Sequence, residues 1–258
     1  SSGLKMKSCE TENKITHKHK SMATIFVLIR RSDSNSSDLF AVQEDHVFSF
    51  LVYEKNVPEH IVDYVLAHGL CYFRQDGWIT RLLVSHDNPA EKRKQQVAPA
   101  RVTDYLYLSD ADFAENDEWR AKRGITHIVH AMPTCRCCPN LYPQKGLVHK
   151  VNENNLRVCL HDSDIFDNKD VRNIVQPVVN FIDHARKTHP RARVLVHCAA
   201  GVSRSATLVL AYLIAREHMA LRDAVSHVFS KRPIIDPIWL YIQTLFEVEE
   251  GRIVPINV

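Results

Sequence analysis

A chain of 258 residues with 45% hydrophobic and 24% charged side chains has the makeup of a folded globular protein, long enough for one large domain or a medium one with a sizeable extension. Its net charge of +3 is spread along the sequence, which argues against a dedicated nucleic-acid surface, and seven irregularly spaced cysteines do not make a disulfide framework. Residues 1–20 lack the basic-then-apolar layout of a signal peptide, and the run ATLVLAYLIA at 206–215 falls short of the roughly 20 residues that span a bilayer; neither a membrane nor a nucleic-acid partner is expected, and the cytosol, or the nucleus as the alternative, is the expected compartment.

Residues 1–21 are rich in Lys, Thr, Ser and His and read as a disordered tail. ATIFVLIR at 23–30 and VFSFLVYE at 47–54 are predicted strands, with a Ser/Asp/Asn turn cluster at 32–38. PEHIVDYVLAHG at 58–69 is a predicted helix: Pro58 suits a first position, Ile61, Val62, Val65 and Leu66 recur at helical spacing, and Gly69 is a stop. LCYFR at 70–74 and WITRLLVSH at 78–86 are strand-like, joined by a Gln-Asp-Gly turn. Residues 22–98 thus form a β-rich extension of unassigned role, closing in a linker, NPAEKRKQQVAPA at 88–100.

From 99 to 250 strands alternate with helices, the pattern of an α/β domain with a mainly parallel sheet. Strands are predicted at 101–108, 126–132, 156–162 and 193–198, and helices at 111–122, 168–188, 205–218, 220–232 and 237–250. Pro177 predicts a kink or a later start in the second of these helices. Residues 251–258 form a C-terminal tail.

The chemistry concentrates in HCAAGVSRS at 197–205, between a predicted central strand and an apolar helix, where open α/β sheets bind ligands. The helix N-terminus and successive backbone N–H groups favour an anion there. Ala199, Ala200 and Gly201 leave those amides accessible, and Gly201 can take backbone conformations closed to other residues. Thiols at helix N-termini beside cations have pKa values of roughly 3.5–7.5 against about 8.5 for a free thiol. Arg204 supplies the cation, with a planar fork that fits two oxygens of a phosphate. A nucleophilic sulfur at Cys198, a ring of amides from Ala199, Ala200, Gly201, Val202, Ser203 and Arg204, and that guanidinium describe a phosphate site that attacks phosphorus, with Ser205 placed to help the sulfur leave. An inert buried thiol does not account for Gly201 and Arg204 at these offsets.

The run resembles the signature loop of the cysteine-dependent protein phosphatases, and its Ser-Arg-Ser ending resembles their dual-specificity branch. DYLYLSDADFA at 104–114, AKRGITHIVHA at 121–131, LRVCLHDSD at 156–164 and DAVSHVFSKRPIIDP at 223–237 extend the likeness over about residues 100–250. The resemblance implies an α/β fold with a central, mainly parallel twisted sheet flanked by helices. It implies hydrolysis of phosphate monoesters on proteins, at phosphotyrosine and at phosphoserine or phosphothreonine, through a cysteinyl-phosphate and without metal or cofactor. It also implies a general acid on the loop after the 156–162 strand. Asp162, Asp164 and Asp167 stand there; Asp162 follows the strand directly and is preferred, with Asp164 in reserve.

The sequence departs from the family at Asp236-Pro237-Ile238-Trp239, where Pro-Asn, a glycine and an aromatic are usual, and at HAMP, 130–133. A lipid or RNA phosphatase, a non-catalytic phosphoprotein-binding module and a sulfurtransferase are the rival readings; neutral Ala199, Ala200 and Val202, the presence of Cys198 and the Ser-Arg-Ser ending weigh against them in turn. TCRCCP at 134–139 would need Cys159 or a histidine to complete a zinc site. The HKHK run at 17–20 and the KRK run at 92–94 read as solvated charge, with docking to an acidic partner open for the latter. Oligomeric state is not legible.

Overall fold

The computed structural model describes residues 23–33, 37–87, 98–132, 148–160, 162 and 168–254. The expected tail at 1–21, the HKHK and KRK runs, the cysteine cluster at 135–138, Asp164 and Asp167 lie outside the described residues.

A six-stranded sheet is ordered β5-β6-β10-β7-β9-β8, from β5 (Ala100–Arg101), β6 (Leu106–Ser109), β7 (His127–Ala131), β8 (Val148–Asn152), β9 (Asn155–Val158) and β10 (Val194–His197). The four inner strands run parallel and each edge strand is antiparallel, so the sheet is mixed with a parallel centre. β6 and β10 are buried at every position, the pattern of strands covered on both faces. On one face Leu106, Leu108, Val194 and Val196 join the main core with α4 (Asn168–Thr188), α5 (Arg204–Glu217), α6 (Leu221–Lys231) and α7 (Trp239–Glu249). On the other, Tyr107 and Leu195 pack with Ala114 of α2 (Ala111–Glu115) and Trp119 of α3 (Asp117–Arg123). The period of two sorts the side chains between these faces.

The N-terminal segment folds into a second, antiparallel sheet ordered β2-β1-β4-β3, from β1 (Thr24–Arg31), β2 (Asp38–Gln43), β3 (Leu70–Gln75) and β4 (Trp78–Ser85). Asp76 and Gly77 both take positive φ, 52° and 81°, which gives the β3–β4 hairpin the turn whose twist matches its strands. Alternation again divides the residues. Cys71, Phe73 and Leu82 face a local core with Val27 and α1 (Glu59–His68), whereas Leu70, Tyr72, Ile79 and Leu83 enter the main core.

Several elements differ from the sequence-based expectation. VFSFLVYE is helical: a 3-10 turn at Glu44–His46 leads into an α turn at Val47–Ser49 and a π turn at Phe50–Glu54. Val47 and Leu51, four apart, are buried while Tyr53 is 77% exposed, so the packing period is helical despite the β-prone composition. The second strand comes instead from Asp38–Gln43, an edge strand with weak burial. The predicted strand at 101–108 is broken by a turn in which Thr103 Oγ1 accepts from the Leu106 amide at 3.0 Å. The predicted helix at 111–122 divides at Asn116, whose side chain caps the next helix by accepting from the Trp119 amide at 2.8 Å. Polar β8 had no apolar signal. α4 keeps Pro177 inside one continuous span; the carbonyl that loses its donor, four residues back, belongs to exposed Asn173.

Candidate active site

β10 ends at His197 between two parallel neighbours, and α5 begins at Arg204. The loop between them lies at the carboxyl edge of the sheet, the position expected for a ligand site. Its carbonyls from Ala199 to Ser203 are engaged. Ala199 O accepts from the Ala111 amide at 3.2 Å, Val202 O from the Asp236 amide at 2.9 Å and Ser203 O from the Thr207 amide at 2.9 Å. Ala200 O and Gly201 O accept from Arg232 Nη2 at 3.0 Å and Nε at 2.9 Å. With the acceptors turned outward, the Gly201 N–H points inward and donates to Cys198 Sγ at 3.2 Å.

Gly201 is required at its position. Its φ is +66°, and an added Cβ would lie 2.6 Å from both Arg232 Nη2 and Ser109 O. Both the backbone conformation and the space exclude a side chain.

Cys198, Arg204, Ser205 and Asp162 converge. Cys198 is buried, and Ser205 Oγ donates to its sulfur at 3.2 Å. Arg204 is 8% exposed. Its Nε lies 2.7 Å from Asp162 Oδ2 without the alignment of a hydrogen bond, and it is buried with no hydrogen-bond partner among the described residues. A buried guanidinium nitrogen left in that state is a ready donor to an anion.

Three groups that sequence reasoning passed over complete the surroundings. Arg232 is fully buried and, besides the loop carbonyls, donates to Ala98 O at 2.8 Å and lies 3.7 Å from Asp110. In the sequence it is one more cation at a helix end before a proline. Tyr241, fully buried in α7, has its phenol raised well above the ordinary value, by burial first and then by the charge of Asp162, so it stays a neutral hydroxyl. His197 shares a 2.7 Å hydrogen bond between its Nε2 and Nδ1 of His130, and His130 Nε2 lies 3.3 Å from Asn155 Oδ1. His130, in the HAMP stretch, is thus the partner of the histidine preceding Cys198.

The family model described as "Dual specificity phosphatase, catalytic domain" matches residues 106–251. The chain belongs to the dual specificity phosphatase family. Human dual specificity protein phosphatase 26 is 40% identical over 131 residues, 50% of this chain and 57% of that protein. A probable rhodanese domain-containing dual specificity protein phosphatase of Dictyostelium discoideum is 32% identical over 159 residues, 60% of this chain and 30% of that protein. The chain therefore spans only part of the length of the curated relatives it matches. The crystal structure of human DUSP28 aligns with a TM-score of 0.49 at 25% identity, covering 59% of this chain and 93% of that one. No described helix is long and apolar enough to cross a membrane.

Burial, reinforced by His130, pushes the His197 pKa from 6.5 down to about 3. The native imidazole is then neutral where the unfolded one takes up a proton, so stability is lost as pH falls below 6.5. At about 1.4 kcal/mol per pH unit, the share from His197 is about 2 kcal/mol by pH 5. Chemical denaturation at pH 7 and pH 5 should show a shallower loss for His197→Asn than for the wild type; equal slopes would contradict a neutral buried His197.

Proposed function

We propose that this protein hydrolyses phosphate monoesters on proteins, at phosphotyrosine and at phosphoserine or phosphothreonine, through a cysteinyl-phosphate. The observation that carries the reading is the buried Cys198 sulfur receiving hydrogen bonds from the Gly201 amide and the Ser205 hydroxyl, with the Arg204 guanidinium beside Asp162 in the same site. Family membership supports the protein substrate class.

In the first step the Cys198 thiolate attacks phosphorus. The S–P bond forms as the P–O bond to the leaving group breaks, and Asp162 gives its proton to the departing oxygen. The Gly201 amide, which points at the sulfur, the other amides of residues 199–204 and the Arg204 guanidinium would hold the equatorial oxygens, where donors fixed in advance stabilise the transition state most. Phosphate and Asp162 compete for one guanidinium. An arriving dianion takes Arg204 and frees the Asp162 carboxyl to face the departing oxygen. In the second step water attacks phosphorus and its proton passes to Asp162. The S–P bond breaks, and the sulfur leaves as a thiolate that Ser205 and the Gly201 amide stabilise.

Cys198→Ser should abolish turnover of an aryl phosphate while the protein stays folded and still binds phosphate. Asp162→Asn should lower kcat by about 10²–10⁴-fold without weakening inhibition by inorganic phosphate; turnover retained by Cys198→Ser would refute the nucleophile, and an unchanged kcat in Asp162→Asn would move the acid to Asp164. Preference for phosphopeptides over phosphoinositides and RNA 5′-phosphates supports the protein substrate, and the reverse preference overturns it.

Ser205→Ala should slow breakdown of the intermediate by roughly 10- to 100-fold, the worth of one hydrogen bond to a charged atom. Rapid mixing should then show a burst of released aryl alcohol before a slow steady state. A mutant that slows the burst itself would place Ser205 in the first step.

A further inference from the structure

The N-terminal sheet presents a row of three polar side chains to the phosphatase unit. Arg30 of β1 is paired in register with Arg81 of β4, and Arg81 with Tyr72 of β3. Two arginines directly opposite each other on one face repel, and Arg81 is 4% exposed; a buried cation of this kind needs a buried partner.

The partner is Asp236. Its Oδ1 lies 2.9 Å from Arg81 Nε and accepts from the Tyr72 hydroxyl at 3.3 Å, and its Oδ2 lies 4.0 Å from Arg30 Nη1. Arg81 Nε also donates to the Tyr72 hydroxyl at 3.1 Å. Burial works against the Arg81 charge, and Tyr72 and Asp236 outweigh it. Three residues on, Trp239 has the Arg30 guanidinium 4.6 Å from its ring centroid and Tyr72 edge-on at 6.3 Å. While the side chains of this segment face the extension, its backbone faces the signature loop. The Asp236 amide donates to Val202 O at 2.9 Å, and the Ile238 amide to Ser203 Oγ at 3.3 Å. Asp236 is the anion that Arg81 and Arg30 of the extension face.

We propose that Arg81, Tyr72 and Arg30 are positioning residues, through which the N-terminal sheet holds Asp236, and through Asp236 the signature loop, in the form that binds the oxyanion. The proposal rests on the reading of that loop as a phosphate site. The extension is then a working part of the catalytic unit: its charge row fixes the Val202 carbonyl outward.

The test compares wild type, Arg81→Met, Asp236→Asn, the double variant and Arg81→Lys for the inhibition constant of inorganic phosphate and kcat/KM on an aryl phosphate. Positioning makes both single variants bind phosphate more weakly, by roughly 3- to 30-fold, and the double variant no worse than the poorer single. Arg81→Lys recovers part of the loss. Charge acting through space gives opposite signs, because loss of the Asp236 carboxylate would then tighten phosphate binding; that result overturns the proposal, as do independent, multiplying effects in the double variant. Arg74→Met breaks an exposed contact of the same sheet, 2.9 Å to Glu250, and leaves phosphate affinity unchanged; a loss equal to that of Arg81→Met would reduce the row to general docking and overturn it. Should Arg81→Met fail to fold, Tyr72→Phe, which removes one hydroxyl, is expected to weaken phosphate by about threefold, and no change there overturns the proposal. A wild type that neither binds phosphate nor turns over the ester instead sinks the reading of the site itself.

Discussion

The arrangement turns on one buried guanidinium. Arg232 donates to the carbonyls of Ala200 and Gly201, and that choice of side orients the peptide units of the loop. Acceptors held outside leave donors inside. The turn requires the left-handed conformation at Gly201, and the same arginine fills the space a side chain would need. Asp110 and the Ala98 carbonyl complete the surroundings of an otherwise costly buried cation. The element that shapes the pocket therefore lies 31 residues downstream of Gly201 and touches neither sulfur nor substrate in the proposed reaction.

Positive charge at the site comes from Arg204 and from amide dipoles rather than from the histidines. His197 and His130 sit beneath Cys198 as neutral rings joined by one hydrogen bond, which needs one donor and one acceptor nitrogen and would be lost if both were protonated. Tyr241 is likewise held neutral. Asp162 lies against Arg204, the guanidinium that the proposed reaction offers to the incoming phosphate. In the proposed reaction that competition would link binding to acid catalysis, because the incoming phosphate would displace the carboxyl from its cation.

Much of this was legible in the chain. Continuous apolar runs such as VLVH betrayed the buried parallel strands, and Gly201 and Arg204 at fixed offsets from Cys198 marked the loop. The expected position of Asp162 just past a strand is looser in the structure, where β9 ends at Val158 and Asp162 lies beside Arg204. The rest depends on distant contacts. Arg232 looks like any cation at a helix end until the loop carbonyls are seen against it. Arg81 sits in WITRLLVSH as an apparent interruption of a strand, and its meaning needs Asp236, 155 positions away. His130 looks like a strand residue until it meets His197 across β7 and β10. VFSFLVYE misled because its composition favours a strand, whereas burial of Val47 and Leu51 on one face dictates a helix. Local propensity was outweighed by what each segment could cover.

The central claim is that phosphorus is passed to the Cys198 sulfur. Acid quenching within the first turnover, followed by mass analysis of the peptides, tests this directly. A phosphoryl group on the peptide carrying Cys198, absent in Cys198→Ser and longer-lived in Ser205→Ala, is the expected result. Full turnover with no phosphoryl-enzyme in any quenched sample, or with the group on another residue, would contradict the account.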